Sequence, residues 1–342
     1  MRKKITIIGG GLAGISLGIG LRRRDVPVKL IEAGFYPRHR VCGEFISGIS
    51  TDALKYIGID GILDGMPRHR TSVWYCQGKR SFQSDLPEEA VGVSRYKLDK
   101  DLVDRFEALG GELITGTRYT GDDSEGYVFS TGRVRRKGSK WIGIKCHLID
   151  FPLEADVEMH VGKGAYLGVS RVEENRVDAC GLFEIRPQIK VPKMELLETY
   201  LEACNLTEMS ARVRNANKDE SSCLGVNAFE LGWQPDEPED RDKLRIGDRF
   251  AIIGPFSGNG MSMAFEGAAA AIDPLLAYAS GEMEWLDCRD QITLDLKKRF
   301  RKRLAISNAI HPFLTDAGKQ RMLATLGKLN LIPYNTLFRA LR

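Results

Sequence analysis

The sequence lacks a hydrophobic run long enough to cross a membrane. No stretch of its 342 residues approaches the roughly 20 consecutive apolar residues that a spanning helix needs. Arg2, Lys3 and Lys4 precede an apolar segment, as in a signal peptide, but glycines interrupt that segment and no small-residue cleavage site suits it. We therefore expect neither a transmembrane segment nor a signal peptide.

Cysteines at metal-binding spacing are also absent. The seven cysteines are odd in number, scattered along the chain and never spaced as C-x-x-C. This pattern argues against a zinc site and against a disulfide framework, and it favours a reducing compartment. We expect a cytoplasmic protein without a metal site.

The chain has little net charge. Its 50 Lys and Arg against 46 Asp and Glu give a formal charge of +4, which gives no reason to propose a nucleic-acid partner. A basic run at residues 297–303 is expected to be the solvated face of a helix. The hydrophobic content of 43% is ordinary for a globular protein that buries a core.

The first 32 residues have the features of a dinucleotide-binding unit. A predicted strand at residues 4–8 leads into the pattern G-x-G-x-x-G, a predicted helix covers residues 15–24, and a second strand at 28–32 ends in Glu32. Such glycines let the backbone approach a pyrophosphate, which the helix N-terminus stabilises, and the acid binds a ribose. The residues expected around the pyrophosphate are Gly9, Gly11, Leu12, Ala13 and Gly14.

A second glycine-bearing stretch occupies residues 247–261. It places Asp248 beside a predicted strand, followed by a proline-containing loop and a G-x-G that opens a helix rich in small residues. The N–H groups of that helix N-terminus would face a developing negative charge. The residues expected there are Gly258, Asn259, Gly260 and Met261.

The predicted secondary structure changes between these two stretches. Four strand-like runs between residues 141 and 185 are separated by short turns and predict an antiparallel meander. We therefore predict an α/β fold with three parts. They are a discontinuous Rossmann-like domain of residues 1–70, 92–135 and 243–285, an inserted antiparallel-sheet substrate domain of residues 71–91 and 136–242, and a helical C-terminal segment of residues 286–342.

Three motifs resemble the FAD-dependent superfamily that includes aromatic-ring hydroxylases, flavin halogenases and geranylgeranyl reductases. They are the first glycine pattern, R-x-x-L-D at residues 95–99, and G-D followed by P-x-x-G-x-G-M at residues 247–261. The loop at residues 37–43 resembles the P-R-x-x-x-C-G motif of the geranylgeranyl reductase branch. The resemblance implies a hydroxylase-type FAD domain, with Arg95 beside the cofactor and Asp248 at its ribityl or pyrophosphate part. Arg40 is a further candidate for cofactor phosphate.

Other motifs of these relatives are missing. The middle Asp-Gly of hydroxylases is replaced at residues 130–133 by a segment without the acid, which argues against a bound NADPH. The W-x-W-x-I-P motif of halogenases is absent, and residues 166–170 replace the substrate-sheet motif of geranylgeranyl reductases. The electron donor would then be diffusible NADPH or NADH, or a separate flavin reductase.

The resemblance implies an FAD-dependent oxidoreductase. The leading hypothesis is a monooxygenase that acts on a hydrophobic aromatic or polyketide-like molecule through reduced flavin and oxygen. One alternative is a C=C double-bond reductase of the geranylgeranyl reductase type. Another is a flavin-binding partner protein without turnover.

Four residues are candidates for catalysis. Cys42 follows two arginines, which could lower the pKa of its thiol, although it could equally be a small residue that fills a gap. Alternation along the predicted strands places His147 on the same face as Lys145, and Glu158 on the same face as His160. If the two strands pair, these side chains would form a proton relay beside the flavin; otherwise they decorate a solvated face.

Overall fold

A computed structural model shows the protein over most of its length. The described residues are 2–133, 138–227, 230–234, 240, 242–329 and 331–341. They form a parallel sheet with helices packed on it, a larger and mostly antiparallel sheet, and a C-terminal group of helices. No helix within these residues is both long and apolar enough to span a bilayer.

The parallel sheet is built from the N-terminal unit and from strands that return much later in the chain. Its spatial order is β14-β7-β1-β2-β6. Numbered along the chain, these strands are β1 (Ile5–Ile8), β2 (Val28–Ile31), β6 (Glu112–Ile114), β7 (Tyr127–Phe129) and β14 (Leu244–Arg245). All four residues of β1 are buried, as expected for a central strand covered on both faces.

The larger sheet has eight strands in the order β12-β8-β11-β10-β9-β4-β5-β3. These are β3 (Phe45–Ile46), β4 (Arg68–Cys76), β5 (Lys79–Gly92), β8 (Trp141–Ile149), β9 (Val157–Gly162), β10 (Ala165–Arg171), β11 (Arg176–Glu184) and β12 (Asn217–Asn227). A separate pair consists of β13 (Gly232–Trp233) and β15 (Ala251–Ile252). The predicted α/β fold is confirmed, whereas the domain boundaries stay a prediction.

The helices connect and cover the two sheets. They are α1 (Leu12–Arg22), α2 (Thr51–Ile57), α3 (Arg95–Ala108), α4 (Lys193–Ala203), α5 (Thr207–Arg214), α6 (Gly260–Ser280), α7 (Trp285–Thr315), α8 (Ala317–Lys328) and α9 (Tyr334–Ala340). Part of the basic run at residues 297–303 holds α7 to α6, because Arg303 donates a hydrogen bond of 2.9 Å to the buried Glu266. The other basic residues of the run are exposed, so the expected solvated helix face is interrupted only at Arg303.

The strand order corrects one expectation about the catalytic candidates. Strand β8 pairs with β11 and β12, and strand β9 pairs with β10 and β4. Two strands thus separate β8 from β9, and the predicted relay across them does not form. Strand β12, whose first half is polar, was not predicted, and Cys223 on it forms a disulfide with Cys146 on β8, contrary to the expectation from cysteine spacing.

Glu158 and His160 also lie on the face of β9 that points away from the cavity described below. The alternate residues Val157 and Met159 line that cavity, so the period of two directs Glu158 to the other side. There Glu158 accepts hydrogen bonds of 3.0 Å from His160 and 2.9 Å from Arg212 of α5. The two residues join the sheet to a helix rather than to a cofactor site.

This arrangement predicts how stability depends on pH. Burial alone would raise the pKa of Glu158, but hydrogen bonds from His160, Arg212 and the Glu154 N–H outweigh it and lower the pKa to about 2. Compared with the ordinary value of 4.5, this shift stabilises the folded state above pH 4.5, and the contribution is lost as the pH falls to about 2.

We expect Glu158→Gln to be about 1–3 kcal/mol less stable than the wild type at pH 7. Its free energy of unfolding should also fall less than that of the wild type between pH 4.5 and 2, because the titrating carboxylate is gone. Denaturant unfolding at each pH measures both effects. Glu195→Gln, at an exposed position of α4, is the matched control and should follow the wild type. A Glu158→Gln curve that matches the control would contradict this assignment.

Candidate active site

The two glycine-bearing stretches lie side by side. A Cβ atom placed on Gly247 would be 2.9 Å from the Cβ of Ala13, in the first turn of α1. Asp248, the next residue, is therefore held beside the turn that begins at Gly9. The proximity that a shared ligand requires is present.

The first turn needs glycine at two positions and leaves open space at a third. Gly9 has φ +102, and a Cβ on Gly14 would lie 2.2 Å from the carbonyl oxygen of Gly9, so neither position accepts a side chain. A Cβ on Gly11, by contrast, would meet no described atom within 4 Å. Because the first-turn N–H groups of a helix lack intrahelical acceptors, this open side is suited to an anion.

Glu32 is ionised and has one acceptor position left. Its Oε1 accepts hydrogen bonds from the N–H of Gly34 at 2.8 Å and from Arg38 at 2.7 Å, and its Oε2 accepts one from the N–H of Gly10 at 2.8 Å. Burial opposes ionisation, but these bonds and the charges of Arg38 and Arg40 lower the pKa of Glu32. Since a carboxylate oxygen accepts about two hydrogen bonds, Oε2 can still bind a hydroxyl.

Arg40 and Arg95 share one buried carboxylate. Arg95 donates to Asp99 at 2.7 and 2.9 Å, and Arg40 donates to the same group at 2.9 Å. Asp99 can neutralise only one of these two cations, and Arg40 also lies 3.9 Å from Oε2 of Glu32. Burial raises the pKa of Asp248, and the charges of Arg133, Arg95 and Arg40 partly offset the effect.

The N-terminus of α6 is shaped by the loop before it. Gly258 has φ +64, and a Cβ there would lie 2.6 Å from the ring of Phe45. Asn259 is buried and donates a hydrogen bond of 2.8 Å to the carbonyl of Ser257. Gly260 and Met261 follow in the first helical turn. Gly258, Gly260 and Met261 border a cavity, whereas Asn259 supports the loop from behind.

One cavity of about 290 Å³ connects these elements to the large sheet. It runs from Asp248 and the α6 N-terminus past Cys42 and Gly43. Its other end is a mainly apolar chamber between the large sheet and α7–α9. The walls of this chamber include Trp74, Met159, Leu182, Phe313, Leu323 and Phe338.

The C-terminal helices are the part of this site that sequence analysis missed. The apolar positions Ile310, Phe313 and Leu314 of α7 line the chamber, as do Tyr334 and Phe338 of α9. Their helical spacing is visible in the sequence and indicates an apolar face. The spacing does not show that this apolar face packs against the cavity.

Cys42 lies at the cavity wall as a neutral thiol. Burial raises the pKa of the Cys42 thiol, and the nearby Arg95 only partly offsets this. Of the two roles that the sequence leaves open for Cys42, this environment favours the small neutral residue over the thiolate. Arg38 is paired with Glu32 and Arg40 with Asp99, so neither arginine lowers the pKa of the thiol as its place in the sequence suggests.

A group of buried charges stands behind Cys42. Glu44 accepts hydrogen bonds of 2.7 Å from the N–H of Arg95 and 2.6 Å from Nε2 of His147, and it also contacts Lys145. Nζ of Lys145 lies 3.6 Å from Asp178 of β11. The side chains of Glu44, Lys145, His147 and Asp178 are at most 1% exposed.

The ionisation states in this group follow from their pairing. Burial disfavours the charged form of Lys145, but Asp178 and Glu44 outweigh it and raise the pKa of Lys145. Burial likewise opposes ionisation of Glu44, yet Lys145 and His147 lower its pKa. Burial dominates at Asp178 and raises its pKa. Glu44 and Asp178 are not among the residues predicted from the sequence, although Glu44 directly follows the P-R-x-x-x-C-G motif at residues 37–43.

Known proteins match this chain by structure only. No protein-family model matches the sequence, and no curated protein matches it. PqsL from Pseudomonas aeruginosa, in complex with 2-aminobenzoylacetate, has a TM-score of 0.73 and 15% identity, covering 95% of this chain and 100% of PqsL. A single-residue variant of HpxO from Klebsiella pneumoniae, complexed with FAD, has a TM-score of 0.71 and 12% identity, covering 98% of both chains.

A third similar structure is p-nitrophenol 4-monooxygenase PnpA from Pseudomonas putida DLL-E4. It has a TM-score of 0.73 and 13% identity, and the match covers 99% of this chain and 97% of PnpA. At such identities the likeness establishes the fold. The chain therefore shares its fold with these three proteins.

Proposed function

We propose that this protein binds FAD and is a monooxygenase for a hydrophobic aromatic or polyketide-like small molecule. The observation that carries the proposal is a single cavity that begins at Asp248 and the α6 N-terminus and ends in an apolar chamber. The proteins with this fold support it, since one is complexed with FAD and another is a nitrophenol monooxygenase.

The residues around the first turn fit the adenosine half of FAD. The backbone of the turn that contains Gly11 would hold the pyrophosphate, because open space adjoins Gly11 and the first-turn N–H groups of α1 lack intrahelical acceptors. Glu32 would accept a ribose hydroxyl at Oε2. Arg40 and Arg95 would favour the cofactor phosphates by their charge and not by direct contact, because both side chains are held at Asp99.

The second stretch fits the flavin half. Asp248 would bind the ribityl or pyrophosphate part, and the N–H groups at residues 258–261 would face the pyrimidine edge of the ring. When bound and reduced, FAD supplies the electrons that activate oxygen. The apolar chamber would position the substrate and exclude water from it.

The candidate catalytic residues take different roles in this proposal. Cys42 would touch the substrate or the cofactor, because it lines the cavity. His147 would act through Glu44 as a positioning residue for the loop that carries Cys42. Glu158 and His160 would have no part in the chemistry, since they lie on the opposite face of the sheet.

A double-bond reductase is the second candidate function. It is favoured by the neutral thiol of Cys42 at the cavity wall, because a reductase must deliver a proton to carbon after hydride transfer. The C-G-E text at residues 42–44 favours the same branch.

We also propose that the protein is cytoplasmic and that it receives electrons from NADPH or NADH, or from a separate flavin reductase. The electron source is proposed because no second complete G-x-G-x-x-G is present to hold a pyridine nucleotide. This route needs no further nucleotide site in the chain.

The cofactor assignment is tested at Asp248. Asp248→Ala removes a carboxylate that borders the cavity, and we expect FAD binding to weaken by roughly tenfold or more, as for loss of a hydrogen bond to a charged group. Flavin absorbance per chain after desalting measures the change. Asp122→Ala, at an exposed loop position, is the control and should retain wild-type loading. An Asp248→Ala protein that retains one FAD per chain would contradict the position assigned to Asp248. A wild type that does not bind added FAD would contradict the whole proposal.

The reaction type is tested with reduced, FAD-loaded protein and two panels of probes. A monooxygenase should insert one ¹⁸O atom from ¹⁸O₂ into a neutral phenol or aryl ketone. A reductase should instead be reoxidised under nitrogen by an isoprenoid alkene, and Cys42→Ala should slow that step at least tenfold, whereas Cys76→Ala, outside the cavity lining, should not. Inertness towards both panels would favour a non-catalytic flavin-binding partner and would refute the enzyme.

A further inference from the structure

The loop after β2 meets the large sheet at three side chains that can ligate a metal. These are His39 in the loop, His147 on β8 and Asp219 on β12. One ligating atom from each lies within 4.8 Å of the others. They come from three segments that are far apart in the sequence, so the fold assembles them.

Two of the three side chains are buried with an unused nitrogen. The side chains of His39 and His147 are 7% and 0% exposed. The Nδ1 atom of each has no hydrogen-bond partner within the part of the chain that the structure describes. A buried polar atom without a partner is costly, and an unseen ion is one of the ordinary explanations.

The neighbours of these ligands prepare them to bind a cation. Glu44 binds Nε2 of His147 at 2.6 Å, which leaves Nδ1 of the same ring as the free position. A carboxylate behind a histidine is the usual outer-shell partner at metal sites. On Asp219, Oδ1 accepts two hydrogen bonds from Ser221, while Oδ2 lies 3.9 Å from Nε2 of His39, so Nε2 rather than the unpartnered Nδ1 is the His39 nitrogen on the Asp219 side.

We propose that His39, His147 and Asp219 bind one divalent transition-metal ion of the zinc type. Two nitrogen ligands and one oxygen ligand suit zinc and similar borderline ions rather than calcium or magnesium. Asp219 is 19% exposed on its side chain, so a water molecule can complete a tetrahedral set from that side. The ion ties the loop after β2 to the edge of the large sheet.

A neighbouring set of donors competes poorly for the same ion. Glu44, His147 and Asp178 also lie within ligating distance of one another. Lys145, however, contacts Glu44 and lies 3.6 Å from Asp178, so an ammonium group already fills the space between these carboxylates. The ion therefore belongs on the side of His147 that faces His39.

The test is stoichiometric metal binding by the full chain. After dialysis against excess Zn²⁺ and then against buffer, mass spectrometry of the metal should give about one zinc per wild-type chain. Titration with Co²⁺ should give the visible absorption of a nitrogen- and oxygen-bound ion. His39→Ala and Asp219→Asn should each weaken binding at least tenfold. The matched control is Glu220→Gln, which changes the exposed acid next to Asp219 and should bind as the wild type does.

Thermal unfolding provides a second readout. Zn²⁺ should raise the Tm of the wild type and of Glu220→Gln, because an ion that binds only the folded state stabilises it. The Tm of Asp219→Asn should not respond. Absence of stoichiometric zinc and cobalt in the wild type, or equal binding by all four proteins, would overturn the proposal. Metal content is measured independently of FAD content, so this outcome is separate from the test of the proposed function.

Discussion

The carboxylate of Glu44 holds the two halves of the site together. It accepts a hydrogen bond from the first residue of α3 and binds both Lys145 and His147 of the large sheet, with almost no exposure to solvent. Buried charges of this kind are stable only when all partners stay in place. The position of Cys42 and Gly43 at the cavity wall therefore depends on the ionic contacts of Glu44, the residue that follows them.

The sequence predicted the two glycine-bearing turns well, because the determinants there are local. Gly9 and Gly14 are needed within the one turn before α1, and Gly258 is needed in the turn before α6, so each pattern is short enough to be visible in the sequence. Strand order in the large sheet depends on contacts across dozens of residues. Alternation alone could not show that β10 and β11 separate β8 from β9.

The wrong expectations share one physical origin, which is that position in sequence does not reveal burial or pairing. Arg40 stands two residues from Cys42, yet its charge is directed at Asp99. Glu158 and His160 have the right spacing for a relay, yet they serve the helix side of the sheet. The inward face of the C-terminal helices could not be predicted for the same reason, since an apolar stripe in the sequence does not show which surface it packs against.

The chamber wall formed by α7–α9 has a consequence for how such a protein can change. The glycine turns and the parallel sheet lie at one end of the cavity, whereas much of the apolar lining lies beyond residue 309. Substitutions in that last tenth of the chain can therefore alter the shape of the chamber and leave the glycine turns and the parallel sheet unchanged.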